Sequence, residues 1–322
     1  MSNKVVLITG ATDGIGKLAA QKFLIAGNTV IITGRSEEKL DATATWLRQQ
    51  QKEQHNDTPT EGLLYTLLLD LTSLESVRQA VDSFQSLGLN KKIDVLINNA
   101  GTTTSELEYV PETREVEKTI FVNAVAPWYF TQLLLPHINN DNNNSSRIIF
   151  ITSSLHDPNV RGGRKSKNPM PTDLTLDYLD GQSAWESMLF YKVSKVTQIW
   201  LALVLAKQEK GKRKVMAVCP GFVPTTQLNR NSSWFLQLIM YHVLSRMSFA
   251  TSEQDAANDY VYYAHDDEEE KEAEEQDGNE GGLYYYRKRK IEEPSSDAKN
   301  MDKAKEFWNK VCDICHVPGK KL

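Results

Sequence analysis

Tyr191 and Lys195 stand four residues apart in SMLFYKVSKVTQIWLALVL, a stretch patterned as a helix, so their side chains share one face. A free tyrosine keeps its proton up to a pKa of about 10, too high for ready exchange at neutral pH. An ammonium beside it favours the phenolate, and the pair then becomes a general acid or base. A second constellation lies near the N-terminus. TGATDGIG at 9–16 follows the β-branched run at 5–9 and opens a helical pattern at 17–26. Gly10, Gly14 and Gly16 let the backbone approach a pyrophosphate, and the helix start supplies free N–H groups and partial positive charge.

The choice of dinucleotide depends on the end of the second strand. A carboxylate there accepts hydrogen bonds from the ribose 2′-hydroxyl of NAD. This chain has Thr33-Gly34-Arg35-Ser36 instead. Arg35 offers a planar fork suited to a 2′-phosphate. Ser36 adds a hydroxyl, and Lys17, just past the Gly-rich turn, adds a second positive charge. The expected cofactor is NADP(H).

These groups need strands and helices to hold them, and the chain supplies both in alternation. Apolar runs at 5–9, 29–33, 63–71, 93–98, 147–152 and 214–219 read as strands. Helical patterns fill the intervals at 17–26, 37–50, 74–87, 112–137 (interrupted at Pro127) and 185–208. Residues 251–264 and 297–314 read as late helices, with a short strand at 283–286 between them. Alternation of this kind implies right-handed crossovers and a parallel sheet covered on both faces. No repeat of solenoid length is visible and no Pro- or Ser-rich linker divides the chain, so 1–322 reads as a single domain.

Taken in order, the motifs resemble those of the short-chain dehydrogenase/reductase family. TGATDGIG fits a TGxxxGxG turn, Asn98-Asn99-Ala100-Gly101 follows the fourth strand, and Asn123 lies inside the next helix. Ser153-Ser154 follow the fifth strand, Tyr191 to Lys195 forms YxxxK, and PGFVPT follows the sixth strand. The resemblance covers nearly the whole chain. It implies an α/β fold, a single Rossmann-type doubly wound parallel sheet of about seven strands flanked by helices on both faces. It also implies that Tyr191 protonates a carbonyl oxygen as hydride arrives from the nicotinamide. Lys195 would tune Tyr191 and hold the nicotinamide ribose, and Asn123 would hold a water in a proton relay. Ser154 is expected to hydrogen-bond the substrate oxygen, since the second serine of such a pair is the usual active one. Cofactor contacts are expected from Gly10, Thr12, Gly14, Ile15, Gly16 and Lys17, from Arg35 and Ser36, and from Asp70 and Leu71 on the adenine side. Asn99, Ala100, Gly101, Tyr191, Lys195, Pro220, Gly221, Val223 and Thr225 complete that expected set, which includes no metal ligand.

The substrate side is more distinctive. Ser154 and Tyr191 are 37 positions apart, and segment 155–189 between them carries basic, proline and aromatic residues. It is expected to form a flap or rim beside the site. This elongated segment, PGFVPTT and the C-terminal GGLYYY resemble the retinol dehydrogenase and protochlorophyllide reductase branch of the family. Within segment 226–250, the stretch 234–241 with Trp234, Phe235 and Leu238 is markedly apolar and continues through Val243, Leu244, Met247 and Phe249. They are expected to cover a lipophilic carbonyl substrate of the retinoid, apocarotenoid, sterol or long-chain aldehyde type. The same surface offers shallow, peripheral membrane attachment. The expected activity is NADP(H)-dependent hydride transfer to a lipophilic aldehyde or ketone, or from the matching alcohol. Reduction of a C=C bond is one alternative, and a non-catalytic NADP(H)-binding regulatory or scaffold protein is another. For assembly, the resemblance implies a homodimer paired through the helices containing Asn123 and Tyr191.

Composition narrows the classes further. The 322 residues carry 37 Lys and Arg against 42 Asp and Glu, a net charge of −5, with no basic stripe for nucleic acid. Residues 266–280 alone hold ten acids and one lysine, a net of −9, so the remainder sums to +4 and suits an anionic cofactor. Segment 265–281 lies where a turn would suffice and is expected to be a disordered surface insertion. No run of 18 apolar residues exists, and MSNKVVLITG leads into a strand without a secretory segment. Cys219, Cys312 and Cys315 cannot build a disulfide framework, which fits a reducing, cytoplasmic setting. Cys312-x-x-Cys315-His316 matches a haem-attachment pattern by chance, and Lys320-Lys321-Leu322 is a loose variant of a peroxisomal address.

Overall fold

The computed structural model describes residues 4–55, 62–89, 92–140, 146–160, 170–171, 173–224, 250–265, 283–287 and 289–322. Its strands are β1 (Val5–Ile8), β2 (Thr29–Gly34), β3 (Leu64–Leu68), β4 (Val95–Asn98), β5 (Arg147–Ile151), β6 (Lys214–Cys219), β7 (Leu283–Arg287) and β8 (Lys290–Ile291). They form one sheet in the order β3-β2-β1-β4-β5-β6-β7-β8. All pairings are parallel except β7 with β8, a two-residue antiparallel return that takes the sheet one strand beyond the expected seven.

Helices cover both faces. On one lie α1 (Gly14–Ile25), α2 (Glu37–His55) and α7 (Glu253–Tyr263). On the other lie α3 (Leu74–Ser86), α4 (Lys118–Ile120), α5 (Ala126–Leu134), α6 (Ser187–Glu209) and α8 (Met301–Ile314). Successive strand residues point to opposite faces. Val5 and Leu7 therefore enter the α6 layer while Val6 and Ile8 enter the α1 layer. Burial on both sides is why these strands read as unbroken apolar runs rather than alternating ones.

The helix expected over 112–137 starts later and is not uniform. Glu117 caps it, its carboxylate accepting from the Thr119 and Ile120 N–H groups. After α4 the backbone widens into a π turn, Phe121–Val125, in which the Ala126 N–H reaches back to the Phe121 carbonyl. Pro127 is the cause: it has no N–H to offer, and its ring crowds the carbonyl four residues before it.

Helix α6 is long and apolar enough by composition to cross a membrane, yet 89% of its apolar window is buried inside the protein. Part of that cover is α8. Trp308 stands edge-on to Trp128 at 4.9 Å, Phe307 packs on Trp200 at 6.0 Å, and Trp200 Nε1 donates to the Asp297 carbonyl at 2.8 Å. Part of the α5 and α6 surface is thus covered from within the chain. Cys312 and Cys315 lie in the same contact, fully buried. Burial pushes the Cys312 thiol up to about 11 and Cys315 higher still, so both are core residues rather than an attachment site.

Segment 155–189 is only partly the flap expected. Met170, Leu174 and Leu179 are buried, and the Leu179 carbonyl accepts the Glu117 N–H at 2.8 Å, so part of the segment from 170 onward is anchored in the core while residues such as Met188 stay exposed. Residues 161–169, the acidic run 266–280, and 225–249 with Thr225, Trp234, Phe235 and Leu238, lie outside the described residues.

Candidate active site

The strand order reverses between β1 and β4, and a crevice opens there at the carboxyl ends of the strands, where α/β sheets bind ligands. It is a cleft of ≈ 580 Å³. The Gly-rich turn forms one wall, with Gly10, Thr12, Gly14, Ile15 and Gly16 lining it. Gly10 takes φ +64°, and a Cβ there would stand 2.9 Å from Ala100 Cα, so only glycine lets the loops after β1 and β4 close together. Gly14 takes φ +52° and would meet nothing within 4 Å, presenting bare backbone to open space. The first N–H groups of α1 have no intrahelical acceptors. Asp13 takes the one from Gly14 at 2.8 Å, while Ile15 and Gly16 line the cleft.

Asn99, Ala100 and Gly101 line the opposite wall. Asn99 Nδ2 donates to the carbonyls of Thr9 (2.8 Å) and Gly10 (3.2 Å), and Thr9 Oγ1 accepts the N–H groups of Asn99 and Ala100, both at 3.0 Å. Farther along, Arg35, Asp70 and Leu71 line the cleft. Arg35 is exposed and makes no ion pair with the described residues. Thr33 Oγ1 is buried in the same wall without a partner, an acceptor and donor suited to a polar ligand. Lys17 and Ser36 do not reach the cleft. The Lys17 ammonium lies over the Trp46 ring at 4.1 Å, a cation–π contact that draws it to α2, and Ser36 Oγ accepts the Lys39 N–H at 3.4 Å as a helix cap. Of these three, only Arg35 lines the cleft.

At the other end, Ile151, Ser153, Leu155, Tyr191, Lys195, Pro220, Gly221 and Val223 line the cleft. Ser153 lines the cleft and hydrogen-bonds the Tyr191 phenol, whereas Ser154, expected to hold the substrate oxygen, does not line the cleft. Ser153 is still extended (φ −148°, ψ 143°) and lines the cleft with Ile151, Thr152 and Leu155. Ser154 opens a 3-10 turn and its backbone N–H goes to Cys219 Sγ at 3.1 Å. Lys195 Nζ lies 5.6 Å from the Tyr191 ring centroid and donates to the Ile151 carbonyl at 2.8 Å. Asn123 is not disposed as a water holder by its side chain. Its Oδ1 accepts the Thr102 N–H at 2.8 Å, and its Nδ2 donates to the Thr102 carbonyl and Ser194 Oγ, both at 3.0 Å.

A family model for the short chain dehydrogenases matches residues 4–162. The chain belongs to the short-chain dehydrogenase/reductase family. Along 321 residues it is 27% identical to the dehydrogenase/reductase SDR family member FEY of Arabidopsis thaliana, covering 97% of this chain and 78% of that one. It is 29% identical to human retinol dehydrogenase 14 over 231 residues, 70% of this chain and 63% of that protein's length. Among solved structures, the Pseudomonas aeruginosa RhlG/NADP active-site complex superposes with a TM-score of 0.59 at 22% identity, covering 82% of this chain and 90% of that one.

In this short-chain dehydrogenase/reductase the electrostatics of the pair differ from the sequence-based expectation. Burial raises Tyr191 to about 12, the Ser153 hydrogen bond pulling it back in part. Burial also lowers Lys195 to about 8. The ammonium was expected to bring the phenol down, and in the chain alone desolvation outweighs it. Tyr260 is a site residue that sequence reasoning missed. Its hydroxyl donates to Asn99 Oδ1 at 2.8 Å and so anchors the asparagine that holds the Gly-rich turn. It sits on α7, 161 residues away, and no spacing in the sequence links the two.

Proposed function

We propose that this chain is an NADP(H)-dependent oxidoreductase acting on a lipophilic aldehyde or ketone, or on the matching alcohol. The observation that carries the reading is the convergence of Ser153, Tyr191 and Lys195 in a cleft that also displays exposed Met188 and Phe222. Bound cofactor supplies or accepts the hydride. The first turn of α1 would receive the pyrophosphate, and Arg35 would pair with the 2′-phosphate through its guanidinium fork. Tyr191 Oη donates a proton to the carbonyl oxygen in reduction and takes one from the alcohol in oxidation. Ser153 Oγ donates to the same oxygen and aligns it. Lys195 keeps a positive charge beside the ribose and the phenol.

Apolar side chains at the cleft suit a substrate with a bulky hydrocarbon body. Retinol dehydrogenase 14 is named for an alcohol of that class, and the resemblance carries retinoids, apocarotenoids, sterols and long-chain aldehydes into the candidate set. Such substrates partition into membranes, so peripheral contact at the cleft mouth accompanies the reading. The test is NADPH oxidation over retinals, apocarotenoids, steroids and alkyl aldehydes, with NADH alongside and products identified. Turnover of an apolar carbonyl to its alcohol, with NADPH preferred, is the expected result. Binding of NADPH without oxidation across the panel would make the chain a cofactor-binding protein, and a saturated product would make it a C=C reductase.

A further inference from the structure

Gln198 lies behind the site, 1% exposed, and does not line the cleft. Its Nε2 donates to the Asn123 carbonyl at 2.9 Å and its Oε1 accepts from Lys195 Nζ at 3.3 Å. The ammonium can face only the amide oxygen and the carbonyl only the amide nitrogen, so the network sets the orientation. The origin of the link is Pro127. In an α-helix the Asn123 carbonyl would accept the N–H of residue 127, and proline has none. The freed carbonyl, in the buried π turn, needs a donor. Gln198, three residues past Lys195 on α6, supplies it.

We infer that Gln198 is a positioning residue that couples the Asn123 carbonyl to Lys195 and holds the ammonium where it serves Tyr191. The inference rests on the reading of Tyr191 and Lys195 as the reacting pair. Lys195 has three donors. The Ile151 carbonyl takes one and Gln198 Oε1 a second, leaving the third for the cleft side, where Tyr191 lies. The titratable groups around it are Tyr191 on α6, Cys219 on β6 and Tyr260 on α7. No carboxylate of the described residues acts on Lys195, whose charged form burial disfavours. Its hydrogen-bond acceptors are the neutral Ile151 carbonyl and the Gln198 amide oxygen, the latter being the one a side-chain substitution can remove. Pro127, which contacts neither partner of the reaction, acts through this chain of bonds.

The experiment uses the full chain without cofactor. The Lys195 titration is followed by NMR of ε-labelled lysine, assigned by its loss in Lys195→Met, in wild type, Gln198→Met and Gln198→Glu. Gln198→Met is expected to lower the Lys195 midpoint by about one pH unit. Gln198→Glu is expected to raise it, and in the loaded enzyme the alkaline fall in kcat should move with the midpoint. Midpoints unchanged in both variants, with wild-type melting temperatures, would overturn the inference. A purely structural role would lower stability without ordering the midpoints. If Gln198→Met fails to fold, the near-isosteric Gln198→Glu decides alone. The catalytic reading has its own separate test in Tyr191→Phe: full turnover there would refute that reading, while the Lys195 titration would still report on Gln198.

Discussion

At Tyr191 two influences oppose each other, and their balance sets its protonation. Burial favours the neutral phenol, raising it to about 12, while the Ser153 hydrogen bond favours the phenolate. The neutral form is the one that gives up a proton to a carbonyl oxygen in reduction, and the phenolate is the one that takes it from an alcohol. Tyr191→Phe is expected to cut turnover by about 10²- to 10⁴-fold with NADPH affinity retained, measured by steady-state kinetics and fluorescence titration. Lys195, lowered to about 8, is charged below that pH and neutral above it. Reductive kcat/KM should accordingly be level from about pH 6 to about 8 and fall beyond; a profile that keeps rising on the alkaline side would contradict the assignment. The serine pair gives a sharper comparison. Ser153→Ala should lose about 10²-fold or more in kcat and Ser154→Ala stay near wild type. The reverse order would return the role to Ser154.

Individual elements matter because each parallel strand delivers its loop to the same edge. The β2–α2 connection brings Arg35 to the cleft, while α2 draws Lys17 away onto Trp46 and uses Ser36 as its cap. Of the three candidate 2′-phosphate contacts, Arg35 lines the cleft and Lys17 and Ser36 do not. Arg35→Ala is expected to weaken NADPH binding by about ten- to a hundredfold, the worth of charge-assisted hydrogen bonds, and to leave NADH binding nearly unchanged. Equal losses for both cofactors in parallel titrations would count against a phosphate contact. The loops after β1 and β4 show the same dependence on neighbouring elements, since Tyr260 of α7 holds Asn99, and Asn99 holds the turn.

Across the whole molecule, α8 closes the layer that contains α5 and α6. Its Trp308 is fully buried against Trp128. Trp308→Ala should cost about 3–5 kcal/mol in denaturant unfolding, as large buried aromatics do. Because part of this surface is covered within one chain, light scattering should find no dimer built on α5 and α6. A stable dimer that survives disruption of every other surface would show that the C-terminal helix can be displaced.

Much was legible from local pattern. Strand and helix order, the Gly-rich turn, the Tyr191–Lys195 face and the Arg35 position all follow from periodicity and spacing, because backbone geometry at short range sets them. The helix start at Lys118 and the π turn were not legible. Pro127 announced a disturbance, but whether the chain would kink, stop or widen depended on what packed against it. Ser153 over Ser154 was decided by a strand's last extended residue, and the raised phenol of Tyr191 by burial, which the sequence expresses only as neighbours not yet assembled. The pairing of Tyr260 with Asn99, Gln198 with Lys195, and α8 with α6 joins residues that no local rule connects. The sequence by itself determined which groups could react and which elements would carry them. Only the tertiary structure decided which of those groups meet, which are diverted to other partners, and how solvent exclusion sets their protons, because desolvation and long-range contact arise only once the layers close.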